Sequence, residues 1–178
     1  MNGLKTLWDK NIVHRDLKPG NILINKSYKP IIIDLGIARF IDGESLTKTI
    51  YMIGPCTPIY ASPEQLMNKK SIIDIRTDFF SIGIILAELY LGCHPFEPGL
   101  VGDGVSIVDN ILRGKYVLNT ESKYMSEPFK NLIKKLLGPQ PYNRFRTYEI
   151  FKAEIEKILI DMSIIIKNRS KIKTRIGR

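Results

Sequence analysis

The sequence holds few cysteines: only Cys56 and Cys93 occur in 178 residues. A disulfide-stapled secreted scaffold is therefore excluded, and a reducing cytoplasmic setting is the expected localisation. Long hydrophobic runs are also missing. The longest nearly apolar run, Phe79 to Leu91, is interrupted by Glu88. It is too short to span a bilayer and predicts a buried helix instead. The opening MNGLKTLWDKN carries charge and no apolar stretch, so it does not read as a secretion signal. The 13 glycines and 10 prolines follow no period, which excludes collagen-like and low-complexity classes. At 44% hydrophobic residues, the chain is too apolar for disorder over most of its length.

Acid is scarce at one end. The net charge is +9, yet residues 167–178, KNRSKIKTRIGR, carry six Lys/Arg and no acid, leaving about +3 for the rest. Such a tail has the charge to touch nucleic acid or an anionic membrane. No aromatic residue is interleaved in it, so base stacking has no platform, and a solvated terminus is the plainer reading.

What is present reads as mostly helical. Isoleucine is so common that β-branching alone argues weakly for strands. With that discount, the end of a helix is expected near Leu4–Lys10, and strands at Asn21–Ile24 and Pro30–Ile33 around a turn at Lys26–Lys29. Leu35 to about Ser62 shows little periodicity and reads as a long functional loop. Thr77-Asp78 is expected to cap the buried helix, with Gly92 as its stop. His94-Pro95-Phe96 opens a loop to about Gly104. Val105–Leu112 is expected to form a helix ending at Gly114, with Val105, Val108, Ile111 and Leu112 inward. Pro128 to Leu137 repeats the pattern, and Thr147 to Met162 is a last amphipathic helix with Ile150, Phe151, Ile155, Ile158 and Leu159 inward. The fold class is mainly α with a small β-hairpin element.

The chemistry concentrates in His14-Arg15-Asp16-Leu17-Lys18-Pro19-Gly20-Asn21 and in Asp34-Leu35-Gly36. Asp16, Asn21 and Asp34 offer oxygen, and the hairpin between Asn21 and Asp34 can bring those two to one mouth. Hard Mg²⁺ prefers such oxygens together with substrate phosphates. A further carboxylate beside a hydroxyl can accept its proton. The set suits phosphoryl transfer, which depends on charge neutralisation and positioning.

HRDLKPGN, DLG, CTPIYASPE, TDFFSIG and NRFR, in that order, resemble the catalytic loop, metal loop, substrate-docking loop, central helix and closing arginine of eukaryotic-type (Hanks-type) Ser/Thr protein kinases. The similarity runs from about residue 4 to 160. The resemblance implies a protein serine/threonine kinase that moves the γ-phosphate of ATP, with Mg²⁺, onto a Ser/Thr hydroxyl of a protein substrate. It implies Asp16 as catalytic base, Lys18 on the transferred phosphate, Thr57 bridging to Asp16, Asn21 and Asp34 on Mg²⁺, and Leu23 under the adenine. Arg15 would pair with a phosphorylated residue among Ser45, Thr47, Thr49 and Tyr51. Glu64 would pair with Arg144, and Asp78 would hydrogen-bond the catalytic-loop backbone. The departures are DLG for DFG, SPE for APE, Phe80 for a tryptophan, and Cys56 for a glycine. His94 is given no chemistry.

Only 13 residues precede His14, with no G-x-G-x-x-G and no V-A-I-K-like lysine. The resemblance therefore implies the family's large C-terminal lobe alone, over residues 1–162, followed by a basic tail at 163–178. The small N-terminal lobe would come from elsewhere, in cis or in trans, and the large lobe should present an apolar patch where a partner is missing. A lobe of this kind is expected to transfer phosphate weakly or not at all by itself. The other reading is a non-catalytic, kinase-like interaction module.

Overall fold

The computed structural model describes residues 2–34, 39–40, 57–102, 105–119 and 125–160. Its centre is α3 (Ile75–Leu91), a 17-residue helix that packs on the Glu127–Leu136 helix, the Ile12–Val13 strand and the Pro58–Tyr60 turn and contributes to two hydrophobic clusters. The sequence makes it so: Phe79, Phe80, Ile84 and Ala87 are almost wholly removed from water. Each large apolar side chain so buried is worth about 1.5–3 kcal/mol. Gly92 closes the helix in the left-handed conformation, φ 79°, where a Cβ would be strained. The start differs from the sequence expectation. The cap is Asp74, whose carboxylate accepts from the Arg76 amide at 2.8 Å. Thr77 and Asp78 lie inside the first turns, buried and committed to partners on other segments.

Before α3, α1 (Asn2–Trp8) leads into β1 (Ile12–Val13), and β2 (Ile22–Ile24) with β3 (Pro30–Ile32) forms the expected hairpin, Leu23 opposite Ile31. β4 (Arg39–Phe40) pairs antiparallel with β1, Val13 opposite Arg39. That strand falls inside the stretch expected to be loop. At two residues it is too short to carry an alternating pattern. A 3₁₀ turn at Pro58–Tyr60 precedes α2 (Pro63–Leu66).

After α3, α4 (Pro98–Val101) is a short helix inside the expected loop, started by Pro98 and stopped by Gly102 at φ 82°. α5 (Ile107–Arg113) is capped by the Ser106 hydroxyl and ends at Gly114. α6 (Glu127–Leu136) buries Leu132, Ile133 and Leu136 while Lys134 and Lys135 face water. α7 covers residues 148–160, and Met162 and the basic tail lie outside the described residues. Leu112, Ile150 and Leu159, expected inward, are 43%, 52% and 57% exposed. Each lies at the margin of its helix's apolar stripe, and the buried arc is narrower than the pattern implied.

The helices meet in two clusters sharing α3. One gathers Leu4, Trp8, Phe79, Leu136 and Phe151, with Trp8 edge-on to Phe79 at 5.2 Å between ring centres. The other gathers Phe80, Ile84, Phe96, Ile111, Met125 and Ile133. α3 and α6 touch closely because residue 83 is glycine: a Cβ there would lie 2.8 Å from Leu136 Cβ. This is a mainly helical lobe with a small hairpin, as its sequence pattern indicates.

Candidate active site

Two buried anchors, Asp78 and Gln65, position the segment from His14 to Asn21. Asp78, on α3 and wholly buried, accepts from the His14 amide at 3.0 Å, the Arg15 amide at 2.9 Å and Trp8 Nε1 at 2.8 Å. Burial pushes its carboxyl up, and the three donors oppose that rise. Arg15 takes a left-handed backbone, φ 71°. Its amide and carbonyl are both fixed from outside, the carbonyl by Gln65 Nε2 at 2.7 Å. Gln65 also closes the capping box of α2 with Ser62. One glutamine thus ties the start of α2 to the loop.

The loop bends so that Asp16 is only partly buried, its side chain keeping 14% of its surface in water. Its Oδ1 accepts from the Thr57 amide at 2.8 Å. Its Oδ2 pairs with Lys18 Nζ at 2.8 Å, and that ammonium also donates to Thr57 Oγ1 at 2.6 Å. Asn21 Nδ2 donates to the Asp16 carbonyl at 2.9 Å and to Asp16 Oδ2 at 3.2 Å. Burial alone would raise the Asp16 carboxyl. The hydrogen bonds from Lys18 and Thr57 outweigh it and hold the group below its ordinary value. Asp16 is therefore an ionised acceptor at neutral pH.

The hairpin brings Asp34 back to this rim. Ile33 N donates to the Asn21 carbonyl at 2.9 Å, and Asp34 follows with a left-handed backbone, φ 64°, and an exposed side chain. Asn21 spends its amide hydrogens on Asp16, which leaves its Oδ1 as the acceptor toward a cation. An amide oxygen and one or two carboxylates form a hard donor set that fits Mg²⁺ with bound phosphate. Leu23 stands on the opposite face of β2 from Ile22 and Ile24 and is 53% exposed. Ile22 and Ile24 instead line an apolar cavity of about 790 Å³ between α1, the hairpin and α3, together with Leu7, Ile82 and Leu86.

The turn after Thr57 is clamped from the far side. Ser81 Oγ donates to the Tyr60 carbonyl at 2.9 Å, and Tyr60 OH donates to Glu88 Oε2 at 2.7 Å. Burial, then the Glu88 bond, push the Tyr60 phenol up. Behind α2, Glu64 and Arg144 form a bidentate pair at 2.6 and 2.9 Å. Arg144 also donates to the Gly138 and Arg76 carbonyls, and Thr77 Oγ1 donates to Glu64.

The structure thus brings together Asp16, Lys18, Asn21 and Thr57, places Asp34 beside Asn21 through the backbone, and buries Arg15, Glu64, Asp78 and Arg144 beneath them. Ser45, Thr47, Thr49, Tyr51 and Cys56 lie outside the described residues. Sequence reasoning missed Gln65, Ser81, Tyr60 and Trp8 as anchors of the rim. Trp8 is the chain's single tryptophan, a signal that was available; nothing in the local pattern marks the others.

Residues 1–155 match the family model described as protein kinase domain. The chain belongs to the protein kinase family. It is 32% identical over 161 residues to a probable serine/threonine-protein kinase of Clostridium perfringens, covering 89% of this chain and 22% of that protein. It is 33% identical over 150 residues to the serine/threonine-protein kinase PknB of Mycobacterium leprae, covering 83% and 23%. A serine/threonine-protein kinase of Arabidopsis thaliana is 32% identical over 154 residues, covering 84% and 20%. The chain spans about a fifth of the length of these curated relatives. Among the described residues, no helix is long and apolar enough to cross a membrane.

Proposed function

We propose that this chain is the acceptor-binding and metal-binding lobe of a protein serine/threonine kinase, residues 1–162, followed by a basic tail. The observation that carries this reading is the partly exposed, ionised Asp16 held between Thr57, Lys18 and Asn21. Asp16 accepts the hydrogen of a Ser/Thr hydroxyl and orients its oxygen. Its lowered affinity for protons makes it a weak base, suited to a late proton transfer in a loose transition state. Lys18 lies where it can pass from Asp16 and Thr57 to an incoming phosphate. Thr57 links that lysine to the acceptor-docking turn. Asn21 and Asp34 would hold Mg²⁺, which neutralises phosphate charge when bound. Leu23 offers an apolar surface for the adenine of ATP. Arg15 would take a phosphorylated residue among Ser45, Thr47, Thr49 and Tyr51. A cytoplasmic setting suits such chemistry, because ATP and Mg²⁺ are at hand there.

None of the described residues provides a cover for the nucleotide phosphates. The reading therefore includes a second lobe, supplied by polypeptide outside these residues, and weak transfer by the 178-residue chain alone. The apolar cavity beside α1 supports further polypeptide packing on this side of the lobe. The same cavity favours the alternative, a kinase-like interaction module. The test is transfer from radiolabelled ATP with Mg²⁺ to a Ser/Thr peptide. The chain alone should transfer weakly, and a longer polypeptide with the phosphate-covering lobe should transfer well and lose it in Asp16→Ala. Transfer that survives Asp16→Ala overturns the role of Asp16. Absence of transfer in the longer polypeptide favours the interaction module.

A further inference from the structure

We propose that His94 is a positioning residue for the acceptor-docking turn: its ring nitrogen holds the Ile59 carbonyl and so keeps Thr57 seated on Asp16 and Lys18. The inference rests on the kinase reading for its functional meaning, but the contact itself stands apart from it.

His94 follows α3 in the loop that leads to α4, and it is 6% exposed. Its Nε2 lies 2.9 Å from the Ile59 carbonyl. Its Nδ1 accepts from the Phe96 amide at 3.3 Å. An acceptor at Nδ1 fixes the neutral tautomer with hydrogen on Nε2, so Nε2 donates to Ile59. The ring is wedged between Tyr60, edge-on at 5.6 Å, and Phe96, tilted at 5.9 Å. Ile59 is the middle residue of the turn, two positions after Thr57. The turn is therefore held at its near end by Asp16 and Lys18, and at its far end by His94 and Ser81. Only His94 among the far-end holders titrates near neutrality.

The charged and titratable groups facing the ring are Glu88 on α3, Glu97 in its own loop and Tyr60 on the turn. Both carboxylates favour the protonated ring, as does the Ile59 carbonyl. Burial among the aromatic rings outweighs them and keeps its affinity for protons below the ordinary value of 6.5. A second proton would sit on Nδ1, against the Phe96 N–H. The Nε2–H bond to Ile59 exists in both protonation states, but the second proton sets a donor against the Phe96 N–H and a charge among the aromatic rings. The ring's buried seat is therefore fully held above about pH 6.5 and weakens as pH falls through the folded-state value, when the charged ring leaves the seat and its bond to Ile59 goes with it.

The test is amide hydrogen exchange of Tyr60 and Ala61, whose turn hydrogen bonds run to the Thr57 and Pro58 carbonyls, followed from pH 7.5 to about pH 5 after correction for intrinsic rates. In the wild type, exchange at these amides should accelerate about five- to tenfold on acidification, because the charged ring leaves its buried seat and the Ile59 hydrogen bond goes with it, while α3 amides keep their protection. His94→Gln keeps an N–H for Ile59 but cannot titrate, so it should restore protection without the pH response. His94→Phe keeps the ring volume and has no donor, so the turn should exchange fast at every pH. Wild-type protection in His94→Phe overturns the proposal, and so does an unchanged acid response in His94→Gln. If His94→Phe does not fold, the wild-type and glutamine profiles still decide it. In the longer, active polypeptide His94→Phe should raise the KM for the acceptor peptide about fivefold and leave the KM for ATP unchanged. A kcat loss with unchanged acceptor KM overturns the link to acceptor docking. Failure of the kinase reading shows separately, as no transfer by the wild-type polypeptide while its exchange profile stays as described.

Discussion

Two sets of charged side chains hold this lobe, and water reaches only one of them. Glu64, Asp78 and Arg144 are 1%, 0% and 2% exposed. The Lys18 and Asp16 side chains keep 30% and 14% of their surface in water. The buried set is saturated: Arg144 meets Glu64 twice and two backbone carbonyls, its plane lying 4.8 Å over Phe80. Its partners are fixed and cannot be exchanged without unfolding. The rim set is also bonded, but water reaches it, and on the proposed reading an incoming hydroxyl, phosphate or cation replaces its partners. Burial makes the first set structural, and partial exposure leaves the second open to exchange its partners.

Breaking the buried set should cost the most. Arg144→Ala strands the Glu64 carboxylate in the interior. It should lower unfolding stability by about 3–5 kcal/mol, measured by urea titration. A loss under about 1 kcal/mol would show that water reaches Glu64 and that the contrast between the sets fails. Asp78→Asn comes next. It keeps the shape but offers one oxygen to three donors, and should cost about 2–3 kcal/mol. The His14 and Arg15 amides should then exchange faster than the rest of the core.

Gly83→Ala tests the packing that brings the sets into register. The added Cβ would press on Leu136 Cβ at 2.8 Å, a contact on the stem of a helical side chain that cannot swing away. A loss of about 1–3 kcal/mol is expected in the same titration. A neutral result would mean that α3 and α6 slide apart freely.

The sequence shows these two sets unequally. Order and spacing of the motifs point directly to Asp16, Lys18, Asn21 and Asp34, because chemistry restricts which residue types can serve there. The long helices are legible for a different reason: α3 and α6 bury continuous stripes and end at glycines or a Gly-Pro stop. The beginning of α3 is not legible. Thr77-Asp78 reads as its cap, whereas the cap is Asp74; the family resemblance implies the bond from Asp78 to the His14–Arg15 backbone, but the bond from Thr77 to Glu64 emerges only from the tertiary contacts. Short pieces such as β4 and α4 carry too few residues for a period. His94 and Gln65 are hidden because each acts through one backbone carbonyl far away in sequence, Ile59 and Arg15, and such pairs leave no local pattern.

The smallest expected effect lies at the rim, and it sharpens the contrast most. Asp16→Asn should change stability by less than about 1 kcal/mol, since the ion pair it removes is partly solvated and asparagine still accepts from the Thr57 amide. In an active polypeptide the same change should lower kcat about 10²–10⁴-fold, the scale of a positioned general base. The stability difference also has a pH signature. Asp16 binds its proton less readily folded than unfolded, so its contribution is fully present above the unfolded value of 3.8 and is lost as pH falls through the folded value. The wild type and Asp16→Asn should therefore differ by a constant amount from pH 7 to about pH 5 and converge in strong acid. The Thr57 amide resonance should move over the same range in the wild type only. A difference that persists at about pH 2 would mean that Lys18 and Thr57 draw their order from another acceptor, and that the rim is held as rigidly as the buried set.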